Sequence, residues 1–220
     1  MFITIAGFKG GSGKTTTAIH LASYFSETST TLLIDGDSNN SAQKWAEIAE
    51  REGHPFPFAV CSKEEGPYMV RDYETIIIDT QGSIDQNSFK SLAKGCDYFV
   101  IPSNPEHLSL NATFQAVQFL DELDTGVDYR VLITQAPPRP NRDGWKARQA
   151  LIKAKIPVFD SIIPRYQCFA DATGQGVIVR DVLKNKRKPE TADKGWIAYQ
   201  RVAKELVEHL NAEPDRDYKA

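Results

Sequence analysis

A chain of 220 residues, 41% apolar and 25% charged, can bury one sizeable core, and one domain is the default expectation. Cys61, Cys96 and Cys168 stand far apart with no CxxC, which argues against a disulfide framework or a zinc site and fits a reducing compartment. The opening "MFITIAGF" has no basic leader and no apolar run approaches the roughly 18 residues of a membrane span, so a cytoplasmic protein is expected.

Taken in order, the chain alternates short β-branched runs with helical spacing. The first run, 2–7 (FITIAG), leads into Lys9-Gly10-Gly11-Ser12-Gly13-Lys14-Thr15-Thr16 and then into a helical pattern at Ala18, Leu21, Ala22 and Phe25. A glycine loop between a strand and a helix N-terminus curls backbone N–H groups around an anion and adds the partial positive charge of the helix end. On the general phosphate-loop pattern Lys14 reaches the β- and γ-phosphates and the Thr15 hydroxyl ligates Mg²⁺; the first glycine of that pattern falls on Phe8. Lys9 is a second lysine for which a phosphate loop has no ordinary use.

Strand 30–35 (TTLLID) presents Asp35 and Asp37 at its carboxyl end, and strand 75–80 (TIIIDT) carries Asp79 at its end. Strand ends are where open α/β sheets hold ligands, and an aspartate there can accept from Mg²⁺-bound water and from Thr15. Strands at 97–102, 129–134 and 158–164 follow, with helical spacing at Phe114, Val117, Phe119, Leu120 and Leu123 between them. A last helix over about 194–210 places Ile197, Val202, Leu206, Val207 and Leu210 in one broad stripe, leaving 211–220 as a polar tail after a domain of 1–210. The pattern predicts a single doubly wound, parallel-sheet P-loop NTPase domain with helices on both faces.

The net charge of −3 hides an asymmetry. Residues 1–138 hold 9 basic and 18 acidic side chains (−9), 139–204 hold 15 and 6 (+9), and 205–220 hold 2 and 5 (−3). Lys184, Lys186, Arg187 and Lys188, with Arg165, Arg201 and Lys204, are candidates for contact with phosphates of nonspecific DNA. Trp145 and Trp196 are expected to anchor helix faces, Cys168 to fill core and His20 to pack rather than react.

The segments "KGGSGKTT", "LLIDGDSNNSA" and "IIIDTQGS" resemble the deviant Walker A, switch I and Walker B motifs of the ParA/MinD family of P-loop ATPases. The likeness runs over most of the chain and is strongest to the small ParA-type proteins of plasmids and of carboxysome positioning, often called McdA-like. It implies an ATP hydrolase (ATP and water to ADP and phosphate) using Mg²⁺, whose ATP-bound homodimer places Lys9 on the partner's nucleotide. It implies that Asp37 orients the attacking water, that Asp35 belongs to the Mg²⁺ shell or positions the switch, and that Thr134 and Pro137 lie at the adenine. It also implies nonspecific DNA binding on the nucleoid and release by an adaptor, ParB-like or McdB-like. Ser38-Asn39 follow Asp37 where the family commonly has Pro-Gln, and Gln81 stands where a proline is frequent.

Two other readings use the same scaffold. A MinD-like membrane switch needs an amphipathic C-terminal helix ending in apolar and basic residues, against which the acidic "EPDRDY" argues, so no membrane partner is expected. A metabolic enzyme, either a dethiobiotin-synthetase-like ligase or an iron–sulfur reductase, is the other; the reductase needs paired cysteines, of which Cys96 alone is near a strand end, and the ligase needs no Lys9. With no helix-turn-helix ahead of the first strand, operator binding is not expected.

Overall fold

A computed structural model describes residues 1–82, 85–123 and 125–211. Among these residues seven strands form one parallel sheet: β1 (Phe2–Ile5), β2 (Thr31–Gly36), β3 (Ala59–Ser62), β4 (Thr75–Thr80), β5 (Tyr98–Ser103), β6 (Asp128–Ala136) and β7 (Val158–Pro164), in the order β3-β2-β4-β1-β5-β6-β7. The helices are α1 (Lys14–Phe25), α2 (Ser41–Arg51), the single turn α3 (Gly66–Met69), α4 (Gln86–Gly95), α5 (His107–Leu123), α6 (Asp143–Lys153), α7 (Gln167–Gln175) and α8 (Glu190–Asn211).

The six expected strands are all present. The seventh, β3, was not anticipated: four residues reading Ala-Val-Cys-Ser lack the length and the apolar run that mark a buried strand, and pairing with β2 creates it. Helix α8 starts earlier than the apolar stripe suggests, at Glu190, and runs to Asn211; residues 212–220 of the expected tail lie outside the described residues.

Continuously apolar strands need cover on both faces. One face is filled by Ile3, Ile5, Leu33, Ile77, Val100 and Leu132 packed under α1, α7 and α8; the other places Phe99, Ile101, Val131 and Ile133 under α4, α5 and α6. The edge strand β7 would expose unpaired backbone groups, and two helices blunt it: Arg148 of α6 donates to the Phe159 carbonyl (2.9 Å), while Glu205 of α8 accepts from the Asp160 and Ser161 amides (2.7 and 2.9 Å). None of the described helices is long and apolar enough to cross a membrane.

Because every pairing is parallel, the carboxyl ends of the strands share one edge of the sheet, and the loops that leave it converge there. Phe99 is fully buried against Phe89 at 5.2 Å between ring centroids. Phe99→Ala should therefore cost about 3–5 kcal/mol of unfolding free energy, read as a lowered urea midpoint at unchanged m.

Candidate functional site

Between β1 and α1 the chain turns over Gly10–Gly13, and Gly13 precedes the helix in the left-handed region at φ 83°. A side chain there is strained, so glycine is required for α1 to begin facing the loop. Gly82, after β4, lies so close that an added Cβ would sit 2.8 Å from the Gly10 Cα. The loop is braced from the end of β6, where the Thr134 hydroxyl donates to the Ser12 carbonyl and the Gln135 amide to the Gly11 carbonyl, both at 2.7 Å.

Lys14 is buried, and its ammonium donates to the Lys9 carbonyl at 3.0 Å, closing the loop on itself. Burial lowers its pKa, opposed by the Asp79 and Asp37 carboxylates. Lys9 points the other way, with Nζ 3.7 Å from the Glu106 carboxylate just ahead of α5.

The three aspartates have different surroundings. Asp35 and Asp79 sit side by side in register on β2 and β4. Asp35 is saturated with backbone donors: Oδ1 accepts from Asp37 N (3.0 Å), and Oδ2 from Ala42 N and Gln43 N (2.9 and 3.0 Å), so it caps α2 from inside the sheet. Asp79 is fully buried, accepts from the Thr15 hydroxyl at 2.6 Å through Oδ2, and among the described residues has no partner on Oδ1. Burial pushes its pKa up to about 7, with the Thr15 bond pulling down and the neighbouring Asp35 charge pushing up. Asp37 is half-buried; its Oδ1 accepts from both the backbone and side-chain amides of Asn39 (3.0 and 3.1 Å), so the departure from Pro-Gln supplies a local clamp.

Beside the loop a pocket of about 250 Å³ is lined by Gly13, Thr16, Thr134, Gln135, Tyr166 and Phe169, among others, and Arg165 stands in its wall. Thr134 lines it although its hydroxyl is spent on the loop, whereas Pro137 lies outside it, in a groove toward α6 and α8. Gln135 and Tyr166 were not anticipated, nor was Glu106; no spacing rule points to them. Ser83, the last residue of the Walker-B-like segment, lies outside the described residues.

The basic candidates Arg165, Lys184, Lys186, Arg187, Lys188, Arg201 and Lys204 are all exposed. Lys184 and Arg187 exchange backbone bonds across a tight turn with Asn185 and Lys186 at φ 50° and 60°, and Lys188 pairs with Asp193. Trp196 and Cys168 are buried as expected, but Trp145 is 55% exposed and anchors no packed face. His20 is a packing residue: stacked on Tyr199 at 4.7 Å, its Nδ1 bonds the Thr16 carbonyl (2.6 Å) and its Nε2 accepts from Val179 N (3.0 Å). It thereby ties the first turn of α1 to the segment ahead of α8.

A glycine loop closed by a buried ammonium, opening a helix beside a hydroxyl–carboxylate pair at a strand end, defines the class: a phosphate-loop nucleotide-binding fold. The family described as the CobQ/CobB/MinD/ParA nucleotide binding domain matches residues 3–198. The carboxysome distribution maintenance protein A of Gloeobacter kilaueensis is 30% identical over 99% of this chain and 95% of its own length. Among solved structures, a Borrelia burgdorferi plasmid partition protein bound to AMPPNP superposes with a TM-score of 0.71 at 20% identity, covering 94% of this chain and 98% of that one. A Cyanothece McdA variant in complex with ATP gives 0.69 at 16% identity, covering 96% of each chain. The chain belongs to the CobQ/CobB/MinD/ParA nucleotide-binding domain family.

His20 makes stability pH-dependent. Burial lowers its pKa to about 4, so its contribution is intact above the ordinary value near 6.5 and is lost as pH falls toward 4, at about 1.4 kcal/mol per pH unit and about 3 kcal/mol in all. Over pH 5–7 the raised pKa of Asp79 acts in the opposite sense, so urea unfolding of the parent and of His20→Asn at pH 7 and pH 5 should show the His20 contribution as a difference of about 2 kcal/mol between the two chains.

Proposed function

We propose that this protein is an ATP-dependent positioning ATPase that closes into a homodimer on ATP, holds nonspecific DNA on the nucleoid in the cytoplasm, and lets go when an adaptor, ParB-like or McdB-like, stimulates hydrolysis. The cargo would be a plasmid or a protein organelle such as the carboxysome, as the names of the relatives suggest. The observation that carries the reading is the opposed pair of lysines. Lys14 is folded into its own loop, while the Lys9 ammonium leaves that loop and stands one-third exposed against Glu106, free to swap a weak surface ion pair for a partner subunit's phosphates.

In this reading the loop amides of Gly10–Thr16 and the Lys14 ammonium hold the β- and γ-phosphates, and the 250 Å³ pocket beside Thr134, Gln135 and Tyr166 takes the base. The residues suit Mg²⁺: Asp79 Oδ1, without a partner among the described residues, would accept from a metal-bound water, and the Thr15 hydroxyl would hold the cation directly. The cation supplies charge neutralisation on the phosphates.

Asp37 orients the water that attacks the γ-phosphorus; the bond to the β–γ bridging oxygen breaks, and ADP and phosphate leave. Charge developing on the transferred group is met by Lys14 in cis and Lys9 in trans, so hydrolysis waits for dimerisation. Asp35, with one oxygen on the Asp37 amide and the other on the first turn of α2, acts by positioning the switch. A metabolic ligase on this scaffold would leave Lys9 without a role.

Asp37→Ala should bind ATP, slow hydrolysis about a hundredfold or more, and run as a dimer by light scattering; an ATP-loaded monomer would sink the sandwich. Retention on duplex DNA should require ATP and fall steeply between 50 and 200 mM salt, roughly as the number of phosphates contacted. Reversing charges at Lys184, Lys186, Arg187 and Lys188 should shallow that salt slope, and an unchanged slope would move the DNA surface elsewhere.

A further inference from the structure

Trp145 stands in a basic groove that meets the proposed base pocket only at Pro164 and Tyr166. Two adjoining depressions, of about 760 and 730 Å³, share Arg139, Asn141 and Trp145 at the carboxyl end of edge strand β7. Their floor is apolar, with Ile162, Ala198 and Ile197, the last 44% exposed. A large indole left 55% in water beside an exposed isoleucine is the kind of surface that contacts a partner.

The rim fixes the partner's charge. Arg139, Arg142 and Arg201 line the groove and none makes an ion pair among the described residues, while no lining residue is acidic. The nearby carboxylates are spent elsewhere: Asp143 on Lys146, Glu190 on Lys194 and Asp193 on Lys188. The proline run Pro137, Pro138 and Pro140 stiffens one wall, so little ordering entropy is lost on docking.

We propose that this groove docks a short acidic segment of a partner protein carrying an aromatic or large apolar side chain, which packs on Trp145 and Ile197 while its carboxylates pair with Arg139, Arg142 and Arg201. Duplex DNA would satisfy the arginines but leave the concave apolar floor uncovered, because its phosphates lie on a convex, hydrated ridge; a peptide covers both. Sharing Arg201 with the proposed DNA surface makes the two ligands competitors. The inference does not rest on the nucleotide reading, because no groove residue belongs to the phosphate loop.

Trp145 reports on its own occupancy, since Trp45 and Trp196 are 2% and 7% exposed. The probe is the peptide acetyl-Glu-Asp-Phe-Glu-Asp-Leu-amide, titrated into the nucleotide-free full chain so that failure of ATP binding cannot mask the result. A saturable blue shift of tryptophan emission is expected, weakened tenfold or more by Arg139→Ser and abolished by Trp145→Phe, with calorimetry confirming that Trp145→Ala no longer binds. The proposal is overturned if the peptide with serines for Phe and Leu binds equally, or if its lysine counterpart does. It is also overturned if a 20-base-pair duplex gives the saturable shift and the peptide none, which would assign the groove to nucleic acid. Emission that shifts with protein concentration alone would assign it to a second copy, and a tenfold gain in peptide affinity on removing residues 212–220 would assign it to the chain's own tail.

Discussion

A carboxylate buried at the end of β4 with one oxygen unpaired among the described residues carries a desolvation cost that the fold does not offset, and the rest of the site is arranged around it. Among the described residues Asp79 has one donor, Thr15, for two oxygens, and burial, with the Asp35 and Asp37 charges behind it, pushes its pKa up to about 7. Its neighbour in register, Asp35, shows what a structural aspartate in that setting looks like: three backbone amides on its carboxylate and a helix end to stabilise. Natural folds leave buried polar atoms unpaired where function needs them. The contrast separates two residues that the sequence presents as equals.

The glycine loop depends on the same constraint from the other side. Thr15 can reach Asp79 only if α1 begins where it does, and Gly13, Gly82, Thr134 and Gln135 together determine that starting point. His20 extends the bracing outward: one ring nitrogen bonds the first turn of α1, the other the segment leading toward the basic turn at Lys184–Lys188. On the far side Trp45 of α2 donates to the Val177 carbonyl at 3.1 Å, and Gly176 lies against the α2 backbone. The helix that Asp35 caps and the helix that carries Thr15 therefore rest on one segment, 176–179, immediately ahead of the positively charged region.

Charge is segregated accordingly. The acidic first two-thirds of the chain build six of the seven strands and the phosphate loop, and the +9 of residues 139–204 lies on α6, α8 and the connecting segments. That region carries two surfaces of different character: a convex turn of lysines and arginine, suited to phosphates, and a concave, arginine-rimmed groove with an exposed indole.

The strand runs, the order of elements and the phosphate loop were legible in the sequence because each is local: apolar periodicity, a glycine loop and strand-end aspartates all lie within a few residues of one another. Lys9, Lys14, Asp37 and Asp79 could be singled out from spacing and resemblance alone. Other features required distant segments to meet. β3 exists because β2 pairs with it, Glu106 reaches Lys9 across two loops, and Gln135 braces the loop from 124 positions away. Trp145 reads as a helix anchor in the sequence, since periodicity reveals which residues can share a face but not whether another element covers it. The sequence by itself determined the phosphate chemistry and the class of fold; the tertiary structure decided which aspartate is capped, which is left wanting a partner, and which tryptophan faces water.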